Sequence, residues 1–560
     1  MDRLSVEILS LIAAAAAASG PQIDLSTVYD VWTLHDKPKF PGSGKPKENS
    51  LASCAAVSRD WQLAFEPFTF HTLVLSPKRI VQAERQGYLT PRRLGCIRYL
   101  AVPITFPLPW PWDVPIVFAQ VGEWPPPSEI DDGEDQKPIE GDESADANDA
   151  AWEDVEGSEQ NNDEDLDNDG YMDVEDDMQP PEERGYDKLF TAIIRSLFRV
   201  LKLAPVHENG QPYMNLRLGF PVPREYGWSF ANCIEQTEAE RLEVGWCSPL
   251  YLDLGFNQDE LPNLPVIASC SFDLVSWSLF FAPESVCKLA SKMPRLRKIK
   301  MHLSDMEWRN PELRVGLRER FANSLPLLPQ GVLDFELQYS RRVPRDHSHA
   351  PPSIVPPHEK RDLLSQALFN FSQRENLLRF SAKGSFDLNI LGTSEKTLAA
   401  SDGWPKLETY DVGFLAITPS GQWLAMGFTD NPNTDSFRDE RWGAPSEHQR
   451  SCLSLFDTNE FRGPIEPDYA HRLVCTAGRA ASHMPRLRRM VINVGVVGGY
   501  KVCYTSKKVH PCMRIAGKKL QPPIEELLRV WRRVAQDRDQ QFGLEWNDTV
   551  KTNKRKMLFS

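Results

Sequence analysis

Apolar positions along this chain switch period at a recurring phrase. Before Met293-Pro294-Arg295-Leu296-Arg297, Val286, Leu289, Ala290 and Met293 fall at i, i+3, i+4 and i+7, one face of a helix. Proline disfavours helical geometry in the residue before it, so the helix should end there. After the phrase, Ile299, Met301 and Leu303 alternate with Lys298, Lys300 and His302, the period of a half-buried strand. The phrase returns at Met484-Pro485-Arg486-Leu487-Arg488, with Leu473, Val474, Ala477 and Ala480 before it and Met490, Ile492 and Val494 after. A looser copy is Trp404-Pro405-Lys406-Leu407. The same reading predicts helices over Leu51–Trp61, closed by Phe65-Glu66-Pro67, and over Phe190–Leu203, Leu363–Phe371 and Pro522–Gln541. Strands are predicted at Phe70–Leu75, Met214–Leu218, Leu250–Leu254 and Leu377–Ser381.

Helix, short proline-leucine turn and strand form the unit of a leucine-rich-repeat-like solenoid, whose units stack because none buries its apolar face alone. The phrases lie 111 and then 80 residues apart, from Met293 to Trp404 to Met484, so the units must be irregular or interrupted. Val343–His358 and Thr429–Gln449 read as long surface loops.

Composition changes this picture in one place. The chain has 560 residues and a net charge of −14. Glu129 to Glu183 alone holds 25 acidic residues against Lys137, a net of −24, which leaves +10 for the rest. Residues 125–184 therefore read as a disordered acidic insert, bounded by prolines at both ends. The longest mainly apolar run, Ile8–Ala18, is too short to span a bilayer and has no positive segment before it, so no membrane is expected. Ten scattered cysteines without a CxxC pair suit reduced, mostly buried thiols inside a cell.

Candidate chemistry is sparse. Asp165, Asp167, Asp169, Gly170, Asp173 and Asp176 match positions 1, 3, 5, 6, 9 and 12 of an EF-hand-like calcium loop. Position 12 is Asp rather than the bidentate Glu, and the flanks carry no amphipathic helices, so a solvated insert is expected and no metal. His347, His349 and His358 share a proline-rich loop without zinc-ligand spacing, and His510-Pro511-Cys512 is isolated. Gly495-Val496-Val497-Gly498-Gly499 joins two strand-like runs and reads as a hairpin turn. No GxSxG, P-loop, HExxH or kinase motif set occurs; no catalytic residue and no cofactor is expected. The basic run Lys551–Lys556 is read as a solvated tail or a nuclear import signal, and a nucleic-acid partner is not expected.

The head of the chain resembles an F-box. Leu4-Ser5-Val6-Glu7-Ile8-Leu9, then Leu51-Ala52-Ser53-Cys54-Ala55-Ala56-Val57-Ser58-Arg59-Asp60-Trp61, Phe68-Thr69-Phe70 and Leu73-Val74-Leu75 follow the family pattern. Ser5 stands where the family usually has proline, and Ser19–Ser50 is a long insert. Beyond the head the chain resembles a fungal family of F-box-like proteins with a C-terminal domain of unknown function. The matching pieces are Phe190–Ile193, Leu197-Phe198, Leu250–Leu254, the phrases at Met293, Trp404 and Met484, and Tyr500–Tyr504. The expected class is α+β or mixed α/β: a helical F-box-like head at 1–76 with a loop insert at 19–50, then an irregular leucine-rich-repeat-like solenoid. That body would begin at 77–124, pass the insert at 125–184, continue over 185–506, and end in a helix and basic tail at 507–560. The resemblance implies that the head binds an Skp-type adaptor of a cullin–RING ubiquitin ligase through Leu4, Ile8, Leu9, Leu51, Val57 and Trp61. It also implies that the body holds a substrate protein, in the cytoplasm, the nucleus or both. The alternatives are a scaffold that has lost adaptor binding and, opposed by the missing motifs, an enzyme on an irregular α/β fold.

Overall fold

The computed structural model describes residues 57–104, 183–220, 250–254, 258–274, 279–305, 307, 310–341, 347, 350–392, 403–427, 462–496, 498–506, 512–518, 520, 522–548 and 555–558, with Leu11 and Ala14. Two units divide the chain, one of Met1–Phe106 with Glu182–Ser560 and one of Pro107–Pro181. The second, with most of the acidic tract, lies outside the described residues, as does the segment 19–50.

The first unit is mixed α/β, built on a large and mostly parallel sheet of 13 strands. Its elements are α1 (Arg59–Thr69), β1 (Thr72–Val74), α2 (Pro77–Gln86), α3 (Pro91–Cys96), β2 (Tyr99–Pro103), α4 (Glu183–Lys202) and β3 (Met214–Phe220). There follow β4 (Leu250–Leu252), β5 (Ile267–Leu274), β6 (Leu279–Phe281), α5 (Pro283–Ser291), β7 (Lys298–Ser304), α6 (Pro311–Ser324), β8 (Asp334–Ser340) and α7 (Leu363–Ser372). The rest are β9 (Arg379–Gly384), β10 (Thr409–Leu415), α8 (Pro467–Ser482), β11 (Arg489–Gly495), β12 (Tyr500–Thr505), β13 (Cys512–Gly517), α9 (Glu525–Gln536), β14 (Gly543–Asp548) and β15 (Arg555–Leu558). Strands β1, β2, β3, β5 and β7 to β11 run parallel in chain order. The antiparallel hairpin β11–β12 then turns the chain back, and β13, β14 and β15 complete the edge. Gly498 and Gly499, both at positive φ, close that hairpin, where a side chain would strain the backbone.

Proline begins five of these helices, at Pro77, Pro91, Pro283, Pro311 and Pro467, where its missing N–H is an orphan in any case. The turns that lead into the strands are the second recurring device. Leu296 N donates to Met293 O at 2.9 Å and Leu487 N to Met484 O at 3.1 Å. The same three-residue step occurs at Leu264/Ile267, where proline again follows the first residue, and at Leu94/Ile97 and Arg374/Leu377, where the phrase is not recognisable in sequence. All the apolar residues of these pairs are buried, as are Trp404 and Leu407. The turns feed a carbonyl ladder that sets the register. Arg297 O accepts from Leu333 N and Asp334 N, Leu333 O from Leu378 N and Arg379 N, Leu378 O from Glu408 N and Thr409 N, and Glu408 O from Arg488 N and Arg489 N. Register-matched Ser269, Lys298, Asp334, Arg379, Thr409 and Arg489 are 29, 36, 45, 30 and 80 residues apart, so the units differ in length but not in how they join.

One sheet face is buried. Phe335, Phe380 and Tyr410 are cross-strand neighbours that stack at 5.5 and 5.2 Å, and Phe371 of α7 packs on Phe335 at 4.6 Å. Ring burial of this kind is the main favourable term holding helix to sheet. The opposite face is polar and reaches solvent.

Two expectations need correction, on Pro67 and on the stretch before His358, and the expected strand at Leu250–Leu252 pairs outside the main sheet. Pro67 does not close the first helix, because α1 runs through it to Thr69; Thr69 Oγ1 donates to Phe65 O and Phe70 N to Glu66 O, which tie the last turn despite the missing N–H. Leu250–Leu252 is a strand outside the main sheet, paired with β6, because Phe281 packs among Phe190, Phe220 and Phe272. The proline-rich stretch before His358 is not wholly a surface loop, since Ile354 is buried and its N–H donates to Pro419 O at 2.8 Å.

At the far end of the sheet α9 lies against α8, and Gly478 makes their close approach possible. A Cβ there would sit 2.5 Å from Val530 Cγ1 and 3.0 Å from Trp531 Nε1. In an exposed helix Gly→Ala would stabilise by about 1 kcal/mol. Here Gly478→Ala is expected to cost about 1–2 kcal/mol through overpacking, read as a lower midpoint in chemical unfolding. A midpoint that rises would show that the two helices part without penalty.

Candidate functional site

The open face of the sheet is the feature of this fold with the most chemistry. Strand pleating sends every second residue to it, so β3, β5, β7 and β8 contribute Arg217, Ser271, Asp273, Lys298, Lys300, His302, Asp334, Glu336 and Gln338. Their charges pair across strands. Arg217 binds Asp273, whose Oδ1 also lies 3.5 Å from His302 Nδ1. Lys300 Nζ is 3.2 Å and His302 Nε2 3.8 Å from Glu336 Oε1. Asp334 lies between Lys298 at 3.5 Å and Arg379 at 2.8 Å. The His302 imidazole, with Lys300 beside it, outweighs partial burial and holds the Glu336 carboxyl down to about 2.

Strands β9 to β12 add Ser381, Lys383, Thr409, Asp411, Gly413, Arg489, Asn493, Lys501 and Cys503 in matched register. Burial raises the Asp411 carboxyl above the ordinary range even though Lys383, Arg489 and Lys501 all act to lower it. Its Oδ1 is shut off from solvent and has no hydrogen-bond partner.

A second cluster lies at the C-terminal ends of β7, β8 and β9 and is closed to solvent. Arg314 Nε donates to Asp305 Oδ1 at 2.7 Å. Arg318 grips Asp362 with Nε at 2.7 Å and Nη2 at 2.9 Å, and Nη2 also donates to Ser385 O at 2.7 Å. Asp362 is at the same time the N-cap of α7, accepting from Ser365 N at 2.9 Å. Burial would raise the Asp305 carboxyl, but Arg314, Arg318 and Arg341 outweigh it and hold it below the usual range. Bidentate pairing and full burial suit a structural lock better than a site that meets substrate.

Of the residues expected to meet an adaptor, Val57 and Trp61 are described. Val57 is 65% exposed immediately before the N-cap Ser58. Trp61 is half-buried and stacks on Phe65 at 5.3 Å. Leu4, Ile8, Leu9 and Leu51 lie outside the described residues, and so do Asp165, Asp167, Asp169, Asp173 and Asp176. His347 is buried, its Nδ1 accepts from Arg462 N at 3.0 Å, and its ring lies 4.8 Å from Trp423, so it ties two loops together. Among the described residues no group of three metal-ligating side chains gathers, and no helix is long and apolar enough to cross a membrane. Burial keeps Cys270 and Cys287 as thiols at neutral pH, the latter pushed up to about 12.

Sequence reasoning found the alternating polar positions of β7 but not their partners, which come from strands 29 and 36 residues away. The Arg314–Arg318 pair, one turn apart in α6, had a signal only in its i, i+4 spacing on an otherwise apolar face.

The fold and face define a mixed α/β protein with a polar, cross-linked open sheet. Residues 442–557, about a fifth of the chain, match a family of unknown function (DUF6546). That stretch takes in the elements from α8 to β14 and most of β15. No curated protein and no solved structure matches the chain.

Proposed function

We propose that the chain is a non-catalytic receptor of the fungal F-box-like kind, a leucine-rich-repeat-like body behind a helical head. In this reading the head tethers the chain to an Skp-type adaptor of a cullin–RING ubiquitin ligase. The open face holds a substrate protein, and other subunits transfer ubiquitin. The observation that carries the reading is the nine-strand parallel series in chain order, with one face buried and the other a lattice of polar side chains. A surface of that size and chemistry suits protein recognition better than a small-molecule pocket. Support for the head comes from the resemblance and from the exposure of Val57 beside the half-buried Trp61 at the start of α1. The adaptor contacts would be Leu4, Ile8, Leu9, Leu51, Val57 and Trp61, and the protein would work in the cytoplasm, the nucleus or both.

A pull-down of the fungal Skp adaptor tests this. The full chain is expected to capture it, and a Leu51→Asp, Val57→Asp variant with unchanged circular dichroism to lose at least tenfold in affinity, about 1.4 kcal/mol. No capture by the intact chain would sink the receptor reading. A second reading, an interaction scaffold without adaptor binding, would then stand, favoured by Ser5 in place of the family's proline and by the insert at 19–50.

A further inference from the structure

We infer that the open face over β9 to β12 binds an acidic segment of the partner protein. This rests on the receptor reading for the nature of the partner, but the cation arrangement stands by itself. From β3 to β8 the basic groups are paired, because Arg217, Lys298, Lys300 and His302, with Arg379 at the start of β9, all sit against Asp273, Asp334 or Glu336. Over the rest of β9 to β12 they are not. Lys383, Arg489 and Lys501 are exposed and make no ion pair or hydrogen bond among the described residues. Asp411 is the one acid those four strands send to the open face.

The geometry suits an extended peptide. Lys383, Gly413, Asn493 and Lys501 are register-matched across the four strands, so Lys383 and Lys501 stand about 14 Å apart along the hydrogen-bonding direction. Arg489 is four residues along β11 from Asn493, about 13 Å the other way. A Cβ on Gly413 would lie 2.9 Å from Lys383 Cγ, so the bare strand at 413 is what lets the Lys383 stem lean across β10. Between the cations the floor is made by Ser381, Gly413, Val491, Asn493 and Cys503, with the Asp411 carboxyl at its centre. About four extended residues span this patch, enough for two or three carboxylates to meet three cations. Three cations around a fixed carboxylate fit nucleic acid poorly, which needs a longer basic track to neutralise phosphates spaced along its backbone. Asp411 limits how much negative charge the centre accepts and so sets the spacing of acids in the partner.

The test is fluorescence anisotropy on the full chain with a labelled peptide of about eight Asp and Glu residues. A lysine peptide and an oligothymidylate of matched length serve as comparisons. Binding of the acidic peptide is expected to weaken with salt and to fall about tenfold or more in Lys383→Glu and in Lys501→Glu, each made singly. Lys78→Glu, the same charge change on exposed α2, should leave it within about twofold, and Asp411→Asn should tighten it. No binding, an equal loss in Lys78→Glu, or tighter binding of the oligothymidylate would overturn the inference. Adaptor is absent from this measurement, so its outcome is separate from that of the capture experiment.

Discussion

Replacing Arg318 by methionine is expected to lower the unfolding free energy by about 3–5 kcal/mol, the range seen when one partner of a buried ion pair is removed. Arg318 is 2% exposed, and it satisfies Asp362 with two hydrogen bonds and Ser385 O with a third. Its removal leaves the Asp362 carboxylate buried while that group is still needed to cap α7. Asp305 loses one of the three guanidiniums that hold its carboxyl down. The sign of the pH effect follows. A carboxyl whose folded pKa lies below its unfolded value of 3.8 stabilises the fold above that value, and this stabilisation is lost as pH falls through the folded pKa. Arg318→Met should raise the folded value toward 3.8, so the variant has less of this acid-labile stability left to lose. Guanidinium unfolding at neutral pH and near pH 3.5 measures both effects. A loss under about 1 kcal/mol at neutral pH would mean that Asp362 finds other partners, and that the cluster is not a lock. Arg318→Met with Asp362→Asn should recover part of the loss, because the stranded charge goes with its partner.

What could be read from the sequence was whatever is local. Val286, Leu289, Ala290 and Met293 announced α5, and Ile299, Met301 and Leu303 announced β7, because both patterns depend on residues within two turns of one another. The turn phrase was legible at Met293 and Met484 but not at Leu94 or Arg374, where the same hydrogen bond is made without proline. Pairings between distant residues left no trace. Nothing near Arg318 points to Asp362, 44 residues on, and nothing near Lys383 says that Gly413 and Asn493 lie beside it rather than an acid. Leu250–Leu252 read correctly as a strand, yet its displacement to a separate two-stranded sheet depends on three phenylalanines from other elements. The balance of charge on the open face, and so the candidate site itself, is a property of register that periodicity does not carry.

The loose phrase at Trp404 leads to the second large effect, an expected loss of about 3–5 kcal/mol in Trp404→Ala. Between β9 and β10 the described residues include only a 3₁₀ turn, Leu388–Leu391, where β7–β8 and β8–β9 are each spanned by an α-helix. Trp404 is fully buried, and with Phe386, Ile390, Leu391 and Leu407 it packs the described part of that layer. Its ring stands edge-on to Phe369 at 5.6 Å and to Tyr410 at 6.3 Å, while Nε1 donates to Ser372 Oγ at 2.7 Å. Its backbone N–H donates to His483 O at 3.3 Å, so one residue joins α7, β10 and the end of α8. Alanine would empty a volume that three rigid elements cannot close, which places the cost in the upper range for core truncations. Trp404→Phe keeps an aromatic ring but loses the indole donor and some volume, for about 1–2 kcal/mol. Ser372 Oγ still donates to Phe369 O at 2.7 Å, so no buried hydroxyl is orphaned in either variant. The two variants, compared by chemical unfolding, separate volume from hydrogen bonding. If alanine cost no more than phenylalanine, the layer would be collapsing around the gap, and the indole would be a filler rather than the joint between these units.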